Sequence, residues 1–190
     1  MENILPGNFF NRDTAMVARD LLGKALVKYS DGEMVGGVIV ETEAYYGSDE
    51  PASHAYGGKT PRSSIMFGKP GRVYVYLCYG MYYLINIVTE KEGTPGAVLI
   101  RALDPIWGIE IMKKRRNGKD RLTDGPGRLT VALGIGIKDN GADIVKGEGG
   151  LQILDFGRES KSCEIIRARR IGINRGEDKL MRFLMLNKKS

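Results

Sequence analysis

Apolar and polar positions alternate through much of the chain with the period of half-buried strands, interrupted by shorter stretches of helical spacing. Val17, Ala18, Leu21 and Leu22 share one face of a helix predicted over residues 13–22, with Gly23 as its stop. Two strand-like runs follow, 24–29 and 34–44, and Asp31-Gly32 between them predicts a tight hairpin. Residues 47–72 are rich in Gly, Pro and Ser and read as loop. Runs 73–78 and 82–88 predict a second hairpin with Tyr79, Gly80 and Met81 at its tip. Residues 97–102 form a further strand, and Asp104-Pro105 offers the cap and first turn of a helix to about Arg116. Asp124, Gly125 and Pro126 open a shorter helix to about Leu133, and strands are expected at 151–155, 163–167 and 180–186. Hairpins outnumber crossover helices, which predicts an α+β fold: one compact domain over 1–190, with a mostly antiparallel curved sheet, flanking helices and a protruding β-hairpin.

Composition sharpens this picture. Glycine, at 26 of 190 residues, is about twice average usage without a repeating period, so it marks turns and close backbone approaches. Basic residues number 29 and acidic 23, a net charge of +6 that suits an anionic partner without identifying one. Two cysteines, Cys78 and Cys163, make no disulfide framework and point to a reducing compartment. A single histidine, His54, disfavours the His-rich metal sites. The first residues lack a basic flank and an apolar core, so no signal peptide is expected. The longest uncharged stretch, 73–89, is too short and too tyrosine-rich for a span. A soluble chain is the expectation.

The charge distribution is uneven. No Asp or Glu occurs from Pro51 to Thr89, where average density would put about five. That window holds His54, Lys59, Arg62, Lys69 and Arg72, and six of the nine tyrosines. Two readings fit: a basic, aromatic surface for phosphates and bases, or a buried hairpin whose tyrosines are core. Tyr74 and Tyr76 share one strand face, and Val73, Val75 and Leu77 the other. The tip is harder to read as ordinary, because Tyr79 and Met81 are large where turns carry small polar residues. Apolar wedges on such tips can insert between base pairs. Glu41 and Glu43, one residue apart on a strand, point the same way, with Tyr45 following on that face. A carboxylate there suits a general base whose pKa is raised by burial or a like charge, or else a strand end emerging into water.

In order, Glu41-Thr42-Glu43-Ala44-Tyr45, His54, Thr60-Pro61-Arg62, Met66-Phe67 and Lys69-Pro70-Gly71 resemble the alkyladenine (3-methyladenine) DNA glycosylase family of the mammalian type. The resemblance continues through Tyr74-Val75-Tyr76, Tyr79-Gly80-Met81-Tyr82, Asn86, Arg101-Ala102-Leu103 and Gly125-Pro126-Gly127-Arg128-Leu129, covering roughly Leu5 to Ile173. It implies a monomeric enzyme without metal or other cofactor that flips alkylated or deaminated purines from double-stranded DNA and hydrolyses the N-glycosidic bond, without strand cleavage. By position, Glu43 resembles the general base and Arg101 the residue that helps hold the attacking water. Tyr45, His54 and Tyr76 resemble the walls of the base pocket, Ala52 a backbone contact to the base, and Asn86 the residue that discriminates against guanine's amino group. Tyr79 resembles the residue that fills the vacated stack, with Met81 and Tyr82 beside it in the minor groove. Lys59, Arg62 and Arg72 are expected on the DNA backbone. The family usually continues after its Arg-Phe strand with a Gly-(Ser/Asn)-Pro-aromatic-Val-Ser segment. Here Arg182-Phe183 leads to Leu184 through Ser190, so a shorter pocket wall is expected. The resemblance also implies no membrane partner and a cytoplasmic, nucleoid-associated or nuclear location. Two rivals remain at this stage: a catalytically silent binder of damaged or single-stranded DNA, which needs no Glu43–Arg101 pair, and a sugar hydrolase, for which Glu41 is the only near second carboxylate.

Overall fold

The computed structural model describes residues 3–30, 32–155, 163–176 and 178–187. Asp31 of the first hairpin turn and Lys188, Lys189 and Ser190 of the closing segment lie outside the described residues. Nine strands and four α-helices follow in the order β1 (Asn3–Ile4), α1 (Gly7–Phe10), α2 (Thr14–Asp20), β2 (Ala25–Ser30), β3 (Glu33–Tyr45), β4 (Val73–Cys78), β5 (Tyr82–Val88), β6 (Ala97–Trp107), α3 (Ile109–Arg115), α4 (Pro126–Leu133), β7 (Leu151–Asp155), β8 (Cys163–Ala168) and β9 (Arg182–Asn187) among the described residues. The strands pair antiparallel in the order β1-β7-β2-β3-β6-β5-β4, and β9 joins β3 and β8. This is the expected α+β architecture, built on one curled antiparallel sheet.

Strand β3 organises the molecule. β6 runs along one edge of it for nearly its whole length. On the other edge, β2 pairs with its first half and β9 with Glu41, Thr42 and Glu43. The alternation read from the sequence then divides the sheet into two faces. On one face, Val73, Val75, Ile85, Ile87, Val98 and Ile100 pack with Val17, Ala18 and Leu21 of α2 and Leu129, Ala132 and Leu133 of α4 in the main core. Helix α2 starts where the Asp13 carboxylate accepts the Met16 N–H at 3.0 Å. Thr42 ties β3 to that helix by donating its hydroxyl to the Ala18 carbonyl at 2.7 Å.

One expected helix starts late. Asp104-Pro105 does not open a helix; both residues continue β6 to Trp107, and α3 starts only at Ile109 after the left-handed Gly108. The reason lies across the ladder in Gly36 and Gly37. A Cβ on Gly37 would run into the Asp104 carbonyl and lie 2.8 Å from Pro105 Cα, so the glycine lets the strand run on. A register shift between Gly36 and Gly37 absorbs the proline. Elements β1 and α1 were not expected, because two and four residues are too few to show a period. Among the described residues no helix is long and apolar enough to cross a membrane.

Candidate active site

The second face of the sheet carries the chemistry. Ladder partners place Tyr74, Asn86, Leu99, Glu43 and Arg182 in one row across β4, β5, β6, β3 and β9. Period two then brings Tyr76, Leu84, Ala97, Arg101, Glu41 and Tyr45 to the same face. Most of these side chains line a cavity of about 700 Å³. Its walls are completed by Ala52, His54 and Arg62 from the loop after β3, by the β4–β5 hairpin, and by residues 171–175 after β8. Within the acid-free window Tyr74 is buried, and it lines the cavity with Tyr76 and the hairpin tip.

Aromatic rings dominate the walls. The His54 and Tyr76 centroids are 4.5 Å apart at 75°, and Tyr74 and Tyr76 are 5.2 Å apart. The Tyr74 hydroxyl meets His54 Nδ1 at 2.9 Å. His54 opens on the cavity, yet desolvation of its packed ring and the charge of Arg62 lower its pKa from 6.5 to about 4. The imidazole is therefore neutral at physiological pH, which suits a wall facing a cationic base. The unfolded chain takes up a proton below about 6.5 while folded His54 does not, so its share of stability is complete above 6.5 and is lost as pH falls toward 4. As the chain's only histidine, it gives a clean NMR test: its ring resonance should titrate near pH 4. A midpoint at 6.5 would mean the ring is solvated. Burial also raises the hydroxyl pKa values of Tyr45, Tyr74 and Tyr76, keeping them protonated as donors.

Glu43 has no exposed surface and sits behind Tyr45, Arg101 and Ile171, which line the cavity. Its Oε2 accepts from the Tyr45 hydroxyl at 2.8 Å and from Arg101 Nη1 at 3.2 Å, and its Oε1 from the Ile171 N–H at 2.8 Å. Arg101 Nε also donates to Glu41 Oε1 at 3.0 Å, so one guanidinium bridges both carboxylates, as their shared strand face requires. Arg182 Nη1 stands 3.5 Å from the same Glu41 oxygen. A carboxylate has about four lone-pair sites, and three fixed donors leave one for a further partner. Among the described residues no group of three or more His, Cys, Asp or Glu side chains could hold a metal ion.

Expected residues divide clearly. Glu43, Arg101, Tyr45, Ala52, His54, Tyr76 and Asn86 come together, with Asn86 donating from Nδ2 to the Tyr74 carbonyl at 3.3 Å. Tyr79, Met81 and Tyr82 crown the hairpin at 82%, 68% and 46% exposure. Of the three basic residues expected on the DNA backbone, only Arg62 reaches the cavity. Lys59 is exposed elsewhere on the loop. Arg72 is committed to the fold, donating to the Gly141 carbonyl at 3.0 Å and pairing with Glu148 at 3.3 Å.

Sequence reasoning missed the Arg170–Glu50 pair, 0% and 2% exposed at their side chains and 2.8 Å apart. Arg170 also donates to the carbonyls of Ala44 and Gly176 and stacks 4.8 Å from the Tyr45 ring centroid. Glu50 Oε2 accepts the Tyr46 N–H at 2.6 Å. The pair clamps the 171–175 wall to β3 beside Glu43. Its arginine sits in the charged run from Arg167 to Arg170, which alone reads as a solvated strand end.

The site thus combines an aromatic cavity, an Arg-held buried carboxylate and an exposed tyrosine hairpin. Residues 8–189 match the family described as methylpurine-DNA glycosylase. A protein of Carboxydothermus hydrogenoformans named "Putative 3-methyladenine DNA glycosylase" is 46% identical over 188 residues, covering 98% of this chain and 97% of that protein. A protein of the same name from Methanocella arvoryzae is 46% identical, covering 98% and 94%, and one from Clostridium perfringens is 42% identical, covering 96% and 95%. The chain belongs to the methylpurine-DNA glycosylase family. It is a DNA glycosylase, a hydrolase of base-excision repair.

Proposed function

We propose that the protein removes alkylated or deaminated purines, of the 3-methyladenine, 7-methylguanine and hypoxanthine class, by flipping them from duplex DNA into the aromatic cavity. It acts as a monomer on a single domain and leaves the strand intact. The observation that carries this reading is the Glu43–Arg101 pair, whose arginine lines a cavity walled by Tyr45, His54 and Tyr76. Alkylation at N3 or N7 makes the purine cationic and weakens its bond to the sugar. Aromatic faces hold that cation, each contact worth about 0.5–2 kcal/mol. Neutral His54 adds no repulsion. The attacking water takes the remaining lone pair of Glu43, whose other sites stay held by Tyr45, Arg101 and Ile171. Glu43 then takes its proton as the oxygen attacks the anomeric carbon, on which oxocarbenium character develops, while the carbon–nitrogen bond breaks and its electron pair leaves with the cationic purine as a neutral base, the logic of inverting glycoside hydrolysis. Arg101 steadies the charge, and Asn86 presents its amide where a purine's exocyclic group would come.

The hairpin supports flipping through its backbone. Tyr79 has φ of +48°, a left-handed conformation that costs a bulky residue about 1–2 kcal/mol. Strain of this kind at an exposed tip fits a side chain kept for contact with a partner. Tyr79→Gly should therefore leave stability unchanged or slightly raised. The flipped population should fall about 5- to 150-fold, because a base–aromatic stack is worth about 1–3 kcal/mol. A fluorescent base analogue opposite or beside the lesion reads that population. Lost stability with unchanged flipping would remove Tyr79 from the wedge role.

A further inference from the structure

We propose that Arg62 is a specificity-determining residue, whose guanidinium rests on the aromatic face that a cationic base must take over and so sets the balance between cationic and neutral bases. The inference rests on the glycosylase reading above and deepens it. Arg62 Cζ lies 5.0 Å from the Tyr76 ring centroid, within cation–π range, and the side chain lines the cavity with His54, Tyr74 and Tyr76. No ion pair neutralises it among the described residues, and its own loop contains no acid from Pro51 onward. Its charge is felt by the surrounding groups: it holds the His54 pKa down and opposes the upward effect of burial on Tyr74 and Tyr76.

The consequence is selective. Two cations on one ring repel, so an alkylated, positively charged purine must displace the guanidinium before it can stack on Tyr76. A neutral purine carries no such penalty, and a planar guanidinium can remain stacked beside it. Arg62 thereby disfavours cationic lesions relative to neutral ones, offsetting the intrinsic lability that makes cationic bases leave more easily.

The test compares single-turnover base release from duplexes carrying one 7-methylguanine or one hypoxanthine, for the wild type, Arg62→Gln and Arg62→Lys. Arg62→Gln should raise the ratio of 7-methylguanine to hypoxanthine release by about 2- to 5-fold, the worth of one cation–π contact at an exposed side chain. Arg62→Lys, which keeps the charge, should return the ratio toward the wild-type value. Phosphate contacts act on both duplexes and cancel in the ratio. An unchanged ratio, or a lysine variant equal to the glutamine variant, overturns the proposal. The His54 titration gives a readout independent of activity: Arg62→Gln should move its midpoint upward, and an unmoved midpoint also overturns the proposal. Failure of the wild type to release 7-methylguanine, hypoxanthine or, from a third duplex, 3-methyladenine would overturn the purine-excision reading itself, an outcome distinct from an unchanged ratio.

Discussion

Glu43→Gln should slow base release by about 10²- to 10⁴-fold, the usual contribution of a positioned general base, while affinity for the lesion duplex changes little. The amide keeps the shape of the carboxylate but cannot take a proton from water. Its oxygen can still accept from the Ile171 N–H, and the Tyr45 hydroxyl can turn to accept from the new NH₂ group. That NH₂ group then opposes Arg101 Nη1, donor against donor, at a cost of about 1–3 kcal/mol. The variant should therefore fold, with a modestly lowered Tm. Single-turnover rates at saturating protein separate the chemical loss from binding. Release within about threefold of wild type would remove Glu43 from the reaction.

Arg170→Met is expected to have the largest effect on stability of any single change considered. Removing one partner of a buried ion pair strands the other charge, at about 3–5 kcal/mol. For a chain of this size that lowers Tm by roughly 6–20 °C. Lys179 Nζ, 3.7 Å from Glu50 Oε1, offers partial compensation and favours the lower end. The double variant with Glu50→Leu should recover much of the loss, because no charge is then left buried. Thermal melts of the two single variants and the double variant decide it. Additive losses would show that the two residues act separately.

Much of the fold was legible because β-structure here keeps its simplest signal. Alternation in 73–78 and 82–88 gives both the hairpin and its two faces, and Asp13 and Gly125-Pro126 mark helix starts by cap chemistry. The Asp104-Pro105 expectation failed because a local helix-start signal competed with a ladder partner some 67 residues earlier in the chain. Only the backbone approach at Gly37 explains which won. The site divides the same way. Glu41, Glu43 and Tyr45 lie on one strand, so their shared face follows from period two, and Arg101 bridges them as a facing strand allows. The Arg170–Glu50 clamp joins residues 120 apart whose sequence surroundings look like solvated loop, and its burial exists only in the assembled fold. Arg72 shows the converse: a basic residue in an acid-free window found its acids, Asp143 and Glu148, on a distant segment.

The central claim is that Glu43 and Arg101 hydrolyse the bond between a damaged purine and its sugar at this cavity. The most direct measurement is to incubate the purified protein with duplexes each carrying one defined lesion, 3-methyladenine, 7-methylguanine or hypoxanthine, and to chromatograph the free base. The account predicts stoichiometric release of at least one of these bases by the wild type, an intact strand with an abasic site, and no comparable release by Glu43→Gln. Lesion binding without base release by the wild type, or equal release by the variant, would contradict it.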